Sequence, residues 1–138
     1  MSFGIAYNVK SKVRVCTPEL FHRAIESQVV ADVCAQITDA LENLRRGGMT
    51  KEEFETVKSN LKKLLPIFTP HATFTNGRRV NAEAVPSGIS MYDKDHISDP
   101  RGWWDEKRKL LKQKGILPVV LFTHVTPSGE GCRLFFVI

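Results

Sequence analysis

The alternation of hydrophobic and polar positions divides the chain into a β-rich start, a helical stretch and a second half that mixes strands with one helix. At the start, residues 3–7 and 12–16 are runs rich in β-branched and aromatic side chains, and a polar segment at 8–11 separates them. Two such runs around a short polar segment predict an opening β-hairpin.

A helical pattern follows directly. Thr17-Pro18 combines a capping hydroxyl with proline at the first helical position, and apolar residues then recur at helical spacing through residues 20–44. Gly47-Gly48 ends the pattern. The β-branched pair Val29-Val30 leaves open whether this stretch forms one helix or two.

The next segment predicts a further helix and then extended chain. Thr50 and Glu53 have the spacing of a capping box, and Pro66 stops the helix that they begin. Residues 68–74 read as a strand, and Asn76-Gly77 is a strong turn signal.

The second half predicts a strand, a helix and a closing hairpin. Residues 88–96 form the strand, Asp99-Pro100 begins a helix that runs to Gly115, and the apolar runs at 118–124 and 133–138 pair across a turn. The strand, helix, strand, strand order predicts an α+β fold whose helices cover at least one face of the sheet.

Two carboxylates at the end of the 88–96 strand are the first candidates for chemistry. Side chains alternate faces along a strand, so Asp93 and Asp95 point the same way and Lys94 points to the other side. Carboxylates held close together repel each other, and a divalent cation such as Mg²⁺ or Mn²⁺ relieves that repulsion. The alternative is an ordinary solvated strand end, where aspartate is common.

The turn in the closing hairpin is the second candidate. Gly129 and Gly131 let backbone N–H groups approach an anion closely, and the hydroxyl of Ser128 adds a donor. Arg133, on the strand that follows, could reach a phosphate held at this turn. The alternative is a plain hairpin connection with a surface arginine.

Composition and charge change this picture little. The 138 residues suit one domain, and a formal charge of +5 favours polyanionic partners. Three cysteines without Cys-x-x-Cys spacing indicate reduced thiols, and no segment reads as a secretion signal or membrane span. We therefore expect a cytoplasmic protein that does not enter a membrane.

Four stretches carry a resemblance to a known family. Residues 62–68, 73–79, 87–96 and 126–134 resemble, in order and spacing, the amino-terminal domain of virulence-associated protein E-like proteins of Bacteroides-type bacteria and their mobile elements. That domain is similar to archaeo-eukaryotic primases and primase-polymerases. The resemblance implies an RRM-like sheet (66–138) with a hairpin and helical flank (1–65), and the amino-terminal part of a longer protein.

The resemblance also implies a function in DNA replication of mobile elements. Asp93 and Asp95 would be catalytic acids that hold two Mg²⁺ or Mn²⁺ ions for nucleotidyl transfer. The partners would be single-stranded nucleic acid, nucleoside triphosphates and a fused or separate helicase-like ATPase. Residues that would contact nucleotide phosphates or template are Ser128, Gly129, Gly131, Arg133, Arg78, Arg79 and Lys62.

Three differences from the primase pattern keep other interpretations open. Lys94 separates the two acids, Arg133 occupies the place of a histidine, and no clear third metal-binding carboxylate follows within the chain. One alternative is a catalytically inactive nucleic-acid-binding module with stacking faces on aromatic residues. These residues are Phe74, Tyr92, Trp103 and Trp104. Another is a metal-dependent nuclease, for which the usual accompanying lysine and histidine motifs are absent from the sequence.

Overall fold

A computed structural model describes residues 2–138 of the chain. In these residues four α-helices and eight short strands alternate in the order β1, β2, α1, α2, α3, β3, β4, β5, β6, α4, β7, β8. The helices are α1 (Pro18–Ile25), α2 (Gln28–Arg45), α3 (Lys51–Lys62) and α4 (Pro100–Gln113). The strands are β1 (Gly4–Ala6), β2 (Arg14–Val15), β3 (Ile67–Thr69), β4 (Ala72–Phe74), β5 (Ala84–Pro86), β6 (Ile89–Lys94), β7 (Val120–Val125) and β8 (Cys132–Val137).

The predicted opening hairpin is confirmed. Strands β1 and β2 pair antiparallel, and β3 adds to the other edge of β1. The turn between β1 and β2 is held by Asn8, whose Oδ1 accepts hydrogen bonds from the backbone N–H groups of Lys10 and Ser11. This is the local bonding that favours asparagine in turns.

The helical stretch forms two helices, and the break lies earlier than Val29-Val30. Thr17 caps α1 by accepting from the N–H of Leu20, as its sequence context predicts. Ser27 then ends one helix and begins the next, because its hydroxyl donates to the carbonyl of Ala24 and accepts from the N–H of Val30. The β-branched pair lies inside α2 and does not interrupt it.

Helices α2 and α3 form an antiparallel pair with a small core of their own. The capping box predicted at Thr50 and Glu53 is present at the start of α3. Phe54 on α3 is buried against Ala40 and Leu41 on α2. Burial of this apolar stripe holds the helical flank together.

The single extended segment predicted at 68–74 is two strands in different sheets. Strand β3 pairs with β1, whereas β4 pairs antiparallel with β5. Pro70 lies between them; it has no backbone N–H to give to a ladder. The turn signal at Asn76-Gly77 is confirmed by the positive φ of Gly77, which is 75°.

The third sheet has the order β6-β8-β7 and is the part that positions the candidate site. Strand β8 lies at its centre and pairs antiparallel with both neighbours. Strands β6 and β7 are therefore parallel, with α4 as the crossover between them. The predicted closing hairpin is confirmed as β7 and β8.

Aromatic contacts join the first and third sheets through α1. The ring of Phe21 lies 5.3 Å from Phe68 on β3 and 5.0 Å from Phe122 on β7, measured between centroids. On the opposite face of the third sheet, Tyr92 of β6 stacks on Trp103 of α4 at 6.4 Å. The sheet is thus covered on one face by α1 and the first sheet, and on the other by α4.

The predicted α+β class is confirmed. The strands described lie in three small antiparallel sheets, with the hairpin and helical flank in the first half of the chain. Within residues 2–138, no helix is both long and apolar enough to cross a membrane.

Candidate functional site

The two candidate acids lie at the edge of the third sheet. Asp93 is the penultimate residue of β6, and Asp95 is the first residue past the strand. His96 follows with a φ of 57°, so the chain turns sharply away after Asp95. The prediction that both acids point the same way assumed that both lie in the strand. Asp95 lies outside the ladder, so strand alternation does not fix the direction of its side chain.

The turn at residues 126–131 packs directly against this strand end. The N–H of Ile97 donates to the carbonyl of Glu130 at 3.0 Å, and the N–H of Thr126 donates to the carbonyl of Gly131 at 2.9 Å. Within the turn, Gly129 has a φ of 75° and the hydroxyls of Thr126 and Ser128 are 3.2 Å apart.

Gly131 is the point of closest approach between the turn and the acids. A Cβ at this position would lie 2.9 Å from the carbonyl oxygen of Lys94 and 3.0 Å from Oδ1 of Asp95. Only a residue without a side chain fits there. The group that Gly131 approaches is a carboxylate of the chain itself, and binding of phosphate at this turn stays a prediction.

Asp93 has a counter-ion within the chain. It is the register partner of Arg133 on β8, whose Nε donates to Oδ2 of Asp93 at 3.1 Å and whose Nη2 donates to the same oxygen. The two side chains are 30% and 33% exposed. Arg133 therefore contacts the predicted metal ligand, and its positive charge offsets the negative charge of Asp93.

His124 lies in line with Asp93 and Arg133 across the sheet. It is the register partner of Arg133 on β7, the other neighbour of β8. Its Nδ1 lies 2.9 Å from the carbonyl oxygen of Val125. Burial lowers the pKa of His124 and the charge of Arg133 lowers it further, whereas the carbonyl bond and Asp93 act in the opposite direction. The row Asp93, Arg133, His124 thus ends in a histidine that favours its neutral form.

The donor set that the acids offer a divalent ion in this arrangement is small. Within residues 2–138, no group of three or more His, Cys, Asp or Glu side chains could hold a metal. Both bonds from Arg133 end on Oδ2 of Asp93, so the guanidinium already supplies the positive charge that a cation would bring. We assign no metal-dependent step to this arrangement, and binding of Mg²⁺ or Mn²⁺ stays a prediction.

The remaining predicted phosphate contacts lie elsewhere. Lys62 is exposed at the last residue of α3. Arg78 forms an ion pair with Glu83 at 3.0 Å, and Arg79 donates to the carbonyl of Val9. The two arginines therefore belong to the surface of the opening hairpin, whereas Arg133 belongs to the third sheet.

The hairpin and the 76–79 loop bring positive charge together from two segments of the chain. The N–H of Val13 donates to the carbonyl of Gly77 at 2.9 Å, so the 76–79 loop is bonded to the hairpin. A Cβ at Gly77 would lie 2.7 Å from the carbonyl oxygen of Val13, which shows how close the two segments are. We call the resulting group the hairpin surface: Tyr7, Lys10, Lys12, Arg14, Arg78 and Arg79.

An exposed aromatic ring lies among these cations. Tyr7 is 61% exposed, and the guanidinium carbon of Arg14 lies 4.6 Å from the centroid of its ring. Lys10, Lys12 and Arg14 are all exposed. The sequence assigns these residues only to a hairpin, although the recurrence of a cation at every second position, Lys10, Lys12 and Arg14, was a signal that could have singled them out.

The aromatic residues predicted as stacking faces have different surroundings. Tyr92 and Trp103 stack on each other, with Nζ of Lys107 6.0 Å from the Trp103 ring. Phe74 is half-buried on β4. Trp104 borders a pocket beside β7.

One family model matches the chain. Residues 60–138, more than half of the sequence, match the family described as BT4734-like, N-terminal domain. Neither a curated protein nor a solved structure matches significantly. The description does not name a virulence-associated protein E or primase-polymerase domain, so the resemblance drawn from the four sequence stretches was wrong as an identification.

Proposed function

We propose that this chain, which belongs to the BT4734-like N-terminal domain family, binds single-stranded nucleic acid on its hairpin surface. The observation that carries the proposal is the exposed ring of Tyr7 with Arg14 over it, on a hairpin that also carries Lys10 and Lys12 and to which the loop of Arg78 and Arg79 is bonded. Family membership identifies the domain, and the proposed activity rests on this surface alone.

The chemistry of the surface suits a polyanion with unpaired bases. Lysine and arginine side chains bind backbone phosphates without regard to sequence, and each contact releases condensed counterions. An exposed tyrosine adds a stacking face, which every base can use once it is not stacked in a duplex. Arg14 over the Tyr7 ring holds that face in place through a cation–π contact.

Charge reversal tests whether binding depends on the hairpin surface or only on the net charge of the protein. Lys10→Glu with Lys12→Glu should weaken binding of a labelled single-stranded oligonucleotide of about 15 nucleotides by roughly tenfold or more, and should flatten the salt dependence. Fluorescence anisotropy at several salt concentrations measures both. The matched control is Lys51→Glu with Lys63→Glu, at the start of α3 and just past its end, which makes the same change of charge at exposed positions. Equal loss in the two variants would disprove a role for the hairpin surface.

The stacking role of Tyr7 has its own test. Tyr7→Leu should cost about 1–3 kcal/mol of binding free energy for a single strand, because the aromatic face is lost while the charge is kept. Tyr7→Phe should bind as the natural chain does. Leucine and phenylalanine variants of equal affinity would remove stacking from the proposal and leave only phosphate contacts.

Nucleotidyl transfer at Asp93 and Asp95 is a second candidate. It is supported by the close packing of the 126–131 turn on Asp95, which brings two independently predicted elements together. Primer extension on a single-stranded template with Mg²⁺ or Mn²⁺ tests it, with Asp95→Asn as the variant. Synthesis that survives this substitution unchanged would exclude Asp95 from the reaction.

The cellular setting follows as part of the same proposal. We propose a cytoplasmic role, which is supported by the three cysteines, Cys16, Cys34 and Cys132, being free thiols. Association with a helicase-like ATPase is a further prediction, and copurification of such an ATPase with the tagged protein would test it.

A further inference from the structure

A pocket lies between the first turns of α4 and the edge of β7. Its volume is about 240 Å³, and Cys132 lines it from β8. Residues from α4 and β7 make up the rest of the lining: Pro100, Arg101, Trp104, Asp105, Thr123, His124 and Val125. This pocket is separate from the acids of β6 and from the hairpin surface.

The size and lining of this pocket suit a small planar ligand. Pockets for drug-sized molecules begin at roughly 300 Å³; this one measures about 240 Å³, so it can hold one ring system with the rest of the ligand outside. Trp104 supplies an aromatic wall, and Arg101 places an exposed cation at the mouth. An aromatic ring can stack on the indole while a phosphate contacts the guanidinium.

The polar groups of the lining can recognise the edge of such a ring. Thr123 of β7 adds a hydroxyl that can donate or accept. Asp105 adds an acceptor at the rim, although it also contacts Arg108 at 3.9 Å.

We propose that the pocket binds a nucleoside monophosphate unit, with the base stacked on Trp104 and the phosphate at Arg101. One cation and one carboxylate at the mouth favour a single phosphate over a triphosphate, because further negative charge would meet Asp105. The unit can come from a free mononucleotide or from one unstacked nucleotide of a strand. The site uses none of the residues of the hairpin surface, so it can be tested independently of the proposed function.

The adjacent tryptophans provide a matched pair for the test. Trp103→Phe leaves Trp104 as the sole indole, and Trp104→Phe leaves Trp103, since the chain has two tryptophans. Adenosine monophosphate should quench the fluorescence of the Trp103→Phe protein with saturation and leave that of the Trp104→Phe protein nearly unchanged. Equal quenching of both proteins, after correction with free N-acetyltryptophanamide, would overturn the proposal.

Arg101→Gln in the Trp103→Phe background tests the phosphate contact without removing the fluorescent reporter. Adenosine monophosphate should bind this protein roughly fivefold or more weakly, whereas adenosine should bind as before. Inorganic phosphate alone should cause no saturable quenching, and an effect equal to that of adenosine monophosphate would contradict the base-stacking part of the proposal.

The source of the nucleotide is decided by comparing ligands on one protein. A short single-stranded oligonucleotide that quenches the Trp103→Phe protein at lower concentration than adenosine monophosphate indicates a nucleotide within a strand. The reverse order indicates a free mononucleotide. Lys10→Glu with Lys12→Glu should leave binding of adenosine monophosphate unchanged, and its loss in that variant would contradict a separate site.

Discussion

Arg133 on the central strand β8 donates hydrogen bonds from Nε and Nη2 to one oxygen, Oδ2, of Asp93 on the edge strand β6. The two residues face each other in the strand register. The acid that the sequence marks as a metal ligand is therefore paired with an arginine that the sequence marks as a phosphate ligand. This pair places a positive charge directly against the carboxylate at the sheet edge.

A double-mutant cycle should measure this pair. With both side chains about one-third exposed, we expect a coupling free energy of about 0.5–1 kcal/mol between Asp93→Asn and Arg133→Met. The coupling should decrease at high salt. Urea unfolding of the two single variants and the double variant gives the value, and a coupling of zero at low salt would contradict a stabilising contact.

The neutral form of His124 predicts a loss of stability in mild acid. Because the folded-state pKa is lowered, the unfolded chain binds the proton more readily, and stability falls as the pH drops below about 6.5 toward the folded-state value. Besides burial, the charges of Arg133 and Asp93 act on the His124 imidazole, the first lowering its pKa and the second raising it. Between pH 7.5 and 5.5, the free energy of unfolding should fall less for His124→Gln than for the natural chain. His22→Gln on the exposed side of α1 is the control for removing an imidazole.

Two glycines in one turn should respond differently to alanine. At Gly131 a Cβ would lie 2.9 Å from the backbone carbonyl of Lys94, so Gly131→Ala must shift β6 or the turn and should cost on the order of 1–3 kcal/mol. At Gly129 a Cβ meets no atom within 4 Å, and the cost of about 1 kcal/mol comes from the positive φ of 75°. Thermal unfolding compares them, and a smaller loss at Gly131 would argue against this close approach.

Phe21 should be required for the two larger sheets to unfold together. Its ring contacts Phe68 on β3 and Phe122 on β7, so Phe21→Ala removes the aromatic link between the first and third sheets. We expect a loss on the order of 3 kcal/mol. Phe21→Leu should keep much of the apolar contact and lose less. Chemical denaturation followed by tryptophan fluorescence and by circular dichroism would show whether the two signals still change together.

Local signals in the sequence were reliable where one short segment contains the whole interaction. The cap at Thr17, the capping box at Thr50 and Glu53, and the turn at Asn76-Gly77 were each predicted and found. The break between α1 and α2 was placed too late, because the decisive hydrogen bonds come from Ser27 and not from the β-branched pair.

The candidate site required contacts between segments that the sequence does not relate. The pattern identified Asp93, Asp95 and the glycine turn as separate features, but the register of β6 on β8 decided that Arg133 contacts Asp93. Likewise, the bond between Val13 and Gly77 gathers the cations of the hairpin surface. Neither the pairing of Arg133 with Asp93 nor the approach of the 76–79 loop to the hairpin has a signal in spacing along the chain.

The sequence by itself determined the α+β class, the helix caps and the turns, because these depend on side chains that bond to their own neighbouring backbone. Tertiary structure alone decided the division of the strands among three sheets and the partners of each charged group. The physical reason is that strand pairing and ion pairing join residues far apart in the chain, where sequence separation carries no information about distance.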